Sequence, residues 1–210
     1  NDLKIVRQSA VDELLDGMTQ HLHWRQRGTT TAQLPLVAQR ARDFLHANLP
    51  DGWEKFSEHG PASPALTAFA RSFCVTLADA GLLFPHWPRD MGGEGLGPWE
   101  QQILSEEMWI AGEPRGGQYM NVNWIGPTLE KYGTAAQKAR YLEPITRGES
   151  LWCQGFSEPD AGSDLASLRT RAVLKDGRYV INGQKIWTSY AGLADTCFLL
   201  TRTSDDSKKG

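Results

Sequence analysis

The chain has 210 residues, of which 40% are hydrophobic and 22% charged, and it carries a formal net charge of −3. That make-up can bury one good core or two modest ones, which excludes general disorder. The basic residues are scattered rather than clustered among aromatics, and no apolar run approaches the roughly 18 residues of a membrane span, which sets aside nucleic-acid binding and membrane crossing. The opening NDLKIVRQSAVDELL lacks the basic-then-apolar layout of a signal peptide, so the expectation is a soluble intracellular protein.

In chain order, Val11, Leu14, Met18 and Leu22 form a helical stripe, separated from the next helical segment by the polar GTTTAQ. Residues 1–32 are therefore read as a helical N-terminal extension. Leu34, Val37, Ala41 and Phe44 predict a helix ending near Pro50. Ser63 as N-cap and Pro64 at the first helical position open the stripe Leu66, Phe69, Phe73, Leu77, which Gly81 closes. Pro98 begins a helix that runs through Ile103 to about Ala111, before Gly112. Thr134 and Gln137 have the spacing of a capping box ahead of KARYLEPI.

After Gly148 the texture changes to short β-rich runs. Asp176-Gly177 and Asn182-Gly183 are both tight-turn signals, and DTCFLLTRT reads as a further strand. The expected fold is α+β and multidomain: an all-α domain over residues 33–148, then a partial β-barrel-like domain over residues 149–210.

Several tempting motifs carry little. MGGEGLG, residues 91–97, lacks the glycine spacing of a dinucleotide fingerprint and suits an inter-helix loop. Glu106 and Glu107 are consecutive on a helix, so they diverge, and a solvated or capping role is expected. His21 and His23 form no zinc-binding pair, there is no G-x-S-x-G elbow, and no metal site is expected. Cys74, Cys153 and Cys197 are widely spaced and odd in number, which favours buried free thiols.

Two segments say more. In GQKIWTS, residues 183–189, strand alternation places Lys185, Trp187 and Ser189 on one face and Ile186, Thr188 and Tyr190 on the other. A tryptophan among polar neighbours needs a cover: another subunit, a packed helix or a flat ligand. In FSEPDAGSD, residues 156–164, Pro159 and Gly162 make a bend whose hydroxyls and amides can face a ligand. Glu158, Asp160 and Asp164 would oppose a bare phosphate by about 3 kcal/mol per charge pair at about 6 Å and an effective dielectric of about 20. A neutral, hydrogen-bonding ring suits the bend better.

Together these segments resemble the acyl-CoA dehydrogenase family. Its first signature, hydroxyl-Glu-Pro-x-Ala-Gly-Ser-Asp, is matched by Ser157, Glu158, Pro159, Ala161, Gly162, Ser163 and Asp164, and its second by NGQKIWTS. AGLLFPHWPRDMGGEGLG and GPTLEKYGTAAQKARYLEPITRGE are similar to the family's helical segments in the same order; the likeness covers about residues 33–203. The resemblance implies an FAD site. Gln154 to Ser163, with Phe156 and Gly162 among them, would line the flavin, Ser157 would meet the pyrimidine edge, and Ser163 would approach the pantetheine arm of a CoA thioester. Trp187 would stack on the isoalloxazine, with Thr188 beside it and Ser189 near N5. Gln154 and Phe156 depart from the residues usual in the family at those positions.

The implied reaction is oxidation of an acyl-CoA to the 2-enoyl-CoA, a glutamate taking the α-proton and the flavin the β-hydride, with electrons passed to an electron-transfer flavoprotein. The glutamate belongs to a later domain and maps to no position up to Gly210. A homodimer or homotetramer in the cytoplasm, or in the mitochondrial matrix if the source is eukaryotic, is also implied. An acyl-CoA oxidase, a flavin monooxygenase on the same fold, or a non-catalytic subunit of a hetero-oligomer remain open.

Overall fold

The computed structural model describes residues 34–53, 55 and 63–204, so the N-terminal stripe from Val11 to Leu22 lies outside the described residues. The described residues divide into two compact units, one up to residue 151 and one from residue 152.

The first unit is helical. Its helices include α1 (Leu34–Asn48), α2 (Pro64–Asp79), α3 (Pro98–Ile110), α4 (Gly126–Tyr132) and α5 (Ala135–Thr146). The hydroxyl of Ser63 accepts the amide of Leu66 at 3.2 Å, and Pro64 follows at the first position, so α2 begins where its capping chemistry dictates. Its buried stripe is Leu66, Ala70, Phe73, Cys74 and Leu77. Gly81, at φ +70°, turns the chain out. At α5, Thr134 and Gln137 complete both halves of the capping box, at 3.2 and 3.0 Å.

Helix α1 packs on α3, and Arg42 on α1 holds Glu107 through bonds of 2.5 and 3.0 Å. Glu107 is thus buried and ion-paired rather than solvated or capping, while its neighbour Glu106 points outward. MGGEGLG lies between α2 and α3, where the guanidinium of Arg40 grips Glu94 at 2.6 and 2.8 Å and also donates to the carbonyl of Ala80. Periodicity gives no sign of the stretch between α3 and α4. It folds as a 3-10 turn (Gly116–Gln118) and a π-helical turn (Asn121–Ile125), pinned where Gln118 donates to the carbonyl of Gly148 and Asn121 to that of Ser150.

Among the described residues, the second unit holds four strands: β1 (Trp152–Gly155), β2 (Arg171–Lys175), β3 (Arg178–Asn182) and β4 (Thr196–Leu199). Strands β2 and β3 form an antiparallel hairpin with Val173 opposite Val180; Asp176 and Gly177 close it at φ +48° and +73°. Strands β1 and β4 pair in parallel, with Cys153 opposite Cys197. Ala161, Leu168 and Leu200 form a small core on which Phe156 and Leu165 pack.

Residues 183–188 are not a strand, contrary to the alternation expected of GQKIWTS. Trp187 has φ +56° and Tyr190 φ +64°, values that no pleated strand adopts, so the faces of Lys185, Trp187 and Ser189 separate. Asn182-Gly183 closes no hairpin either. Gly183, at φ +154°, ends β3 and lies so close to Thr170 that a Cβ would meet its backbone Cα at 2.6 Å.

Candidate functional site

The signature bend is built from inside outward. Strand β1 delivers the chain to Phe156, whose ring turns to Phe198 with centroids 5.6 Å apart. Glu158 and Ala161 then exchange backbone hydrogen bonds of 2.8 and 3.1 Å, which closes the turn over Pro159 and Asp160. Ala161 is buried, while Gly162 and Ser163 emerge at the surface.

Glu158 does not line the bend with charge. Its carboxylate is buried and accepts from the amides of Arg169 (2.6 Å) and Thr170 (2.8 Å) and from the ammonium of Lys185 (2.9 Å). Burial alone would push its pKa up; the hydrogen bonds from Thr170, Lys185 and Arg169 more than reverse this and hold it at about 2. The acid repulsion expected of Glu158 is therefore neutralised within the fold, and Asp160 lies 3.5 Å from the guanidinium of Arg169.

The second motif locks onto the first. Lys185 also donates to the carbonyl of Phe156 at 2.8 Å, and the amide of Ile186 donates to the carbonyl of Ser157 at 2.9 Å. Next in the chain, Trp187 flips outward with 85% of its surface exposed. The amide of Ser189 returns to the carbonyl of Trp187 at 3.0 Å, so the indole projects from a tight turn rather than a flexible strand.

Of the residues singled out from sequence, Ser157 is joined directly to the 185–187 segment, and Trp187, Thr188 and Ser189 follow it. Gln154 is half-buried on β1, Phe156 leans on the core, and Gly162 and Ser163 lie at the far end of the bend. Among the described residues, the side chains of Gln154, Ser157, Ser163, Thr188 and Ser189 have no hydrogen-bond partner, and the Trp187 ring has no aromatic one. Nothing lies within 4 Å of a Cβ built on Gly162. An exposed indole on a fixed turn, with the Ser157 bend joined to the same segment, has the chemistry to hold a flat ring with a polar edge, and FAD fits that description. Sequence reasoning misses Glu158 and Lys185 as a pair; the hint available is a lone lysine in one motif and three carboxylates in the other.

Beside this site, burial pushes the Cys197 thiol up to about 12, with the neighbouring Cys153 adding to the effect, so that thiol stays protonated at neutral pH. Among the described residues no group of His, Cys, Asp or Glu could hold a metal ion, and no helix is long and apolar enough to cross a membrane.

Comparison with known proteins agrees with the fold. Residues 31–149 match the family profile described as acyl-CoA dehydrogenase, N-terminal domain, and residues 153–210 match acyl-CoA dehydrogenase, middle domain. Acyl-CoA dehydrogenase FadE34 of Mycobacterium tuberculosis is 47% identical over 135 residues, which is 64% of this chain and 19% of that protein. The solved Tcur3481-Tcur3483 steroid ACAD is 37% identical with a TM-score of 0.74, over 87% of this chain and 46% of that one. The ChsE4-ChsE5 complex from Mycobacterium tuberculosis is 33% identical with a TM-score of 0.75, over 88% and 46%. The chain spans less than half the length of each. With a helical unit, a β unit and both signature segments in place, the chain belongs to the acyl-CoA dehydrogenase family.

Proposed function

We propose that the protein containing this chain binds FAD and oxidises an acyl-CoA thioester to the 2-enoyl-CoA, passing electrons to an electron-transfer flavoprotein. The observation that carries this reading is the outward Trp187 indole, fixed by backbone bonds beside a bend whose hydroxyls have no partner among the described residues. In this reading Trp187 covers one face of the isoalloxazine, and Thr188 and Ser189 offer hydroxyls to its rim. Ser157 serves the pyrimidine edge, Gln154 and Gly162 border the ring, Phe156 supports the bend from below, and Ser163 meets the pantetheine arm of the thioester. Bound there, FAD would supply the hydride acceptor. The chain's own contribution is position, since an acceptor held at the right place converts an improbable encounter into a unimolecular step.

Because the solved relatives include a steroid ACAD and a two-protein complex, a steroid-derived acyl-CoA and assembly with a related chain are the first substrate and partner to try. The test is anaerobic mixing of the protein, expressed from its whole reading frame with any co-purifying partner, with steroid-derived and straight-chain acyl-CoA thioesters. The reading expects bleaching of the flavin by at least one thioester, then slow reoxidation on admitting air. Rapid reoxidation by air would favour an oxidase on the same fold, and no bleaching by any thioester would contradict dehydrogenation.

A further inference from the structure

Lys185 invites a question that its place in a flavin-facing motif does not answer. Its side chain is 9% exposed and that of Glu158 is 7% exposed, so both charges have been taken out of water. A buried ion pair is a poor source of stability, since its desolvation offsets much of its attraction and apolar side chains of similar volume would often serve the fold as well. Buried pairs do set register where two segments could otherwise slide. Here the geometry suits that use: one ammonium bonds the carbonyl of Phe156 at 2.8 Å and the carboxylate of Glu158 at 2.9 Å, residues on either side of Ser157. On its own segment the same lysine stands two residues before Trp187, whose φ of +56° is a conformation that persists only when its surroundings over-determine it.

We propose that Lys185 and Glu158 are a positioning pair, which fixes the Ser157 bend and the Trp187 turn relative to each other so that both address one ligand at once. The proposal rests on the FAD reading and deepens it. Neither residue is assigned contact with the ligand; both act through Ser157 and Trp187. The carboxylate is itself held by the amides of Arg169 and Thr170, so the clamp is anchored to the backbone leading into β2 rather than to the tip of another side chain.

The experiment compares the parent protein with Lys185→Met, Lys185→Arg, Glu158→Gln and the double variant Glu158→Gln/Lys185→Met. For each, the urea midpoint of the apoprotein and the affinity for added FAD, read by flavin fluorescence, are measured. The pair predicts FAD binding at least about tenfold weaker in Lys185→Met and in the double variant, although the double variant, having no unpaired charge, regains most of the lost midpoint. Lys185→Arg, which keeps charge and donors, should recover part of the FAD affinity.

If FAD affinity instead rises and falls with the urea midpoint across the series, the pair is only structural and the proposal fails. It fails equally if Lys185→Met binds FAD within about twofold of the parent. Should Lys185→Met not fold, the double variant and Lys185→Arg decide on the same two readouts. A parent that folds but binds no FAD overturns the cofactor reading, and the proposal with it; a parent that binds FAD while the variants bind equally well overturns the proposal alone.

Discussion

The amide of Ile186 donates to the carbonyl of Ser157 at 2.9 Å, which ties two segments 29 residues apart into one edge. Beyond that bond the two chains diverge: the first turns through Pro159, the second throws Trp187 outward. The candidate site lies where they diverge, tied by backbone bonds and by Lys185 rather than by packing of the residues that face outward.

Removing the indole should therefore separate binding from folding. Trp187 is 85% exposed, so Trp187→Ala should leave the urea midpoint of the apoprotein nearly unchanged while weakening FAD binding by about fivefold or more. A large loss of stability would mean that the ring is covered by protein.

The carboxyl of Glu158 sits at about 2 when folded, against an ordinary value of 4.5, so its contribution to stability is fully present above pH 4.5 and is lost as pH falls through 2. Glu158→Gln should lower the urea midpoint most at neutral pH. The gap between parent and variant should narrow steadily between pH 4.5 and pH 2. Unfolding curves at neutral pH and at two acidic values read this directly, and a gap that widens in acid would contradict the assignment.

Gly183 is required by a close approach. An added Cβ would run into the Thr170 hydroxyl and meet the Thr170 Cα at 2.6 Å, and the backbone cannot step aside as a side-chain tip can. Gly183→Ala should cost about 2 kcal/mol or more, measured by chemical denaturation, and should loosen the turn that carries Trp187.

The α5 cap offers a test of purely local stability. Thr134→Ala removes the acceptor for the Gln137 amide and should cost about 1 kcal/mol; Gln137→Ala removes the reciprocal bond. The double variant should cost less than the sum of the two. Strict additivity would show that the two bonds do not act together.

How much of the fold and site is legible in the chain depends on the range of each interaction. Helix α2 can be read because Ser63, Pro64 and the Leu66–Leu77 stripe act within one helix, and α5 because Thr134 and Gln137 are three residues apart. The turns between Gly116 and Ile125 leave no periodic trace, since their geometry is held by Gln118 and Asn121 reaching some 30 residues onward to carbonyls. Trp187 is recognisable as an indole needing a cover, yet strand alternation assigns it the wrong face. Aromatic and β-branched neighbours suggest a strand, and nothing in the letters Lys-Ile-Trp-Thr-Ser announces a positive φ. The link from Lys185 to Glu158 spans 27 positions and becomes visible only once the bend and the turn are folded together.

The most direct test is the visible absorption spectrum of the purified protein, expressed from its whole reading frame, before and after adding FAD and removing the excess. The account predicts the two visible bands of a protein-bound flavin, retained through the washing and diminished in Trp187→Ala. A folded protein that stays colourless and retains no added FAD would contradict it.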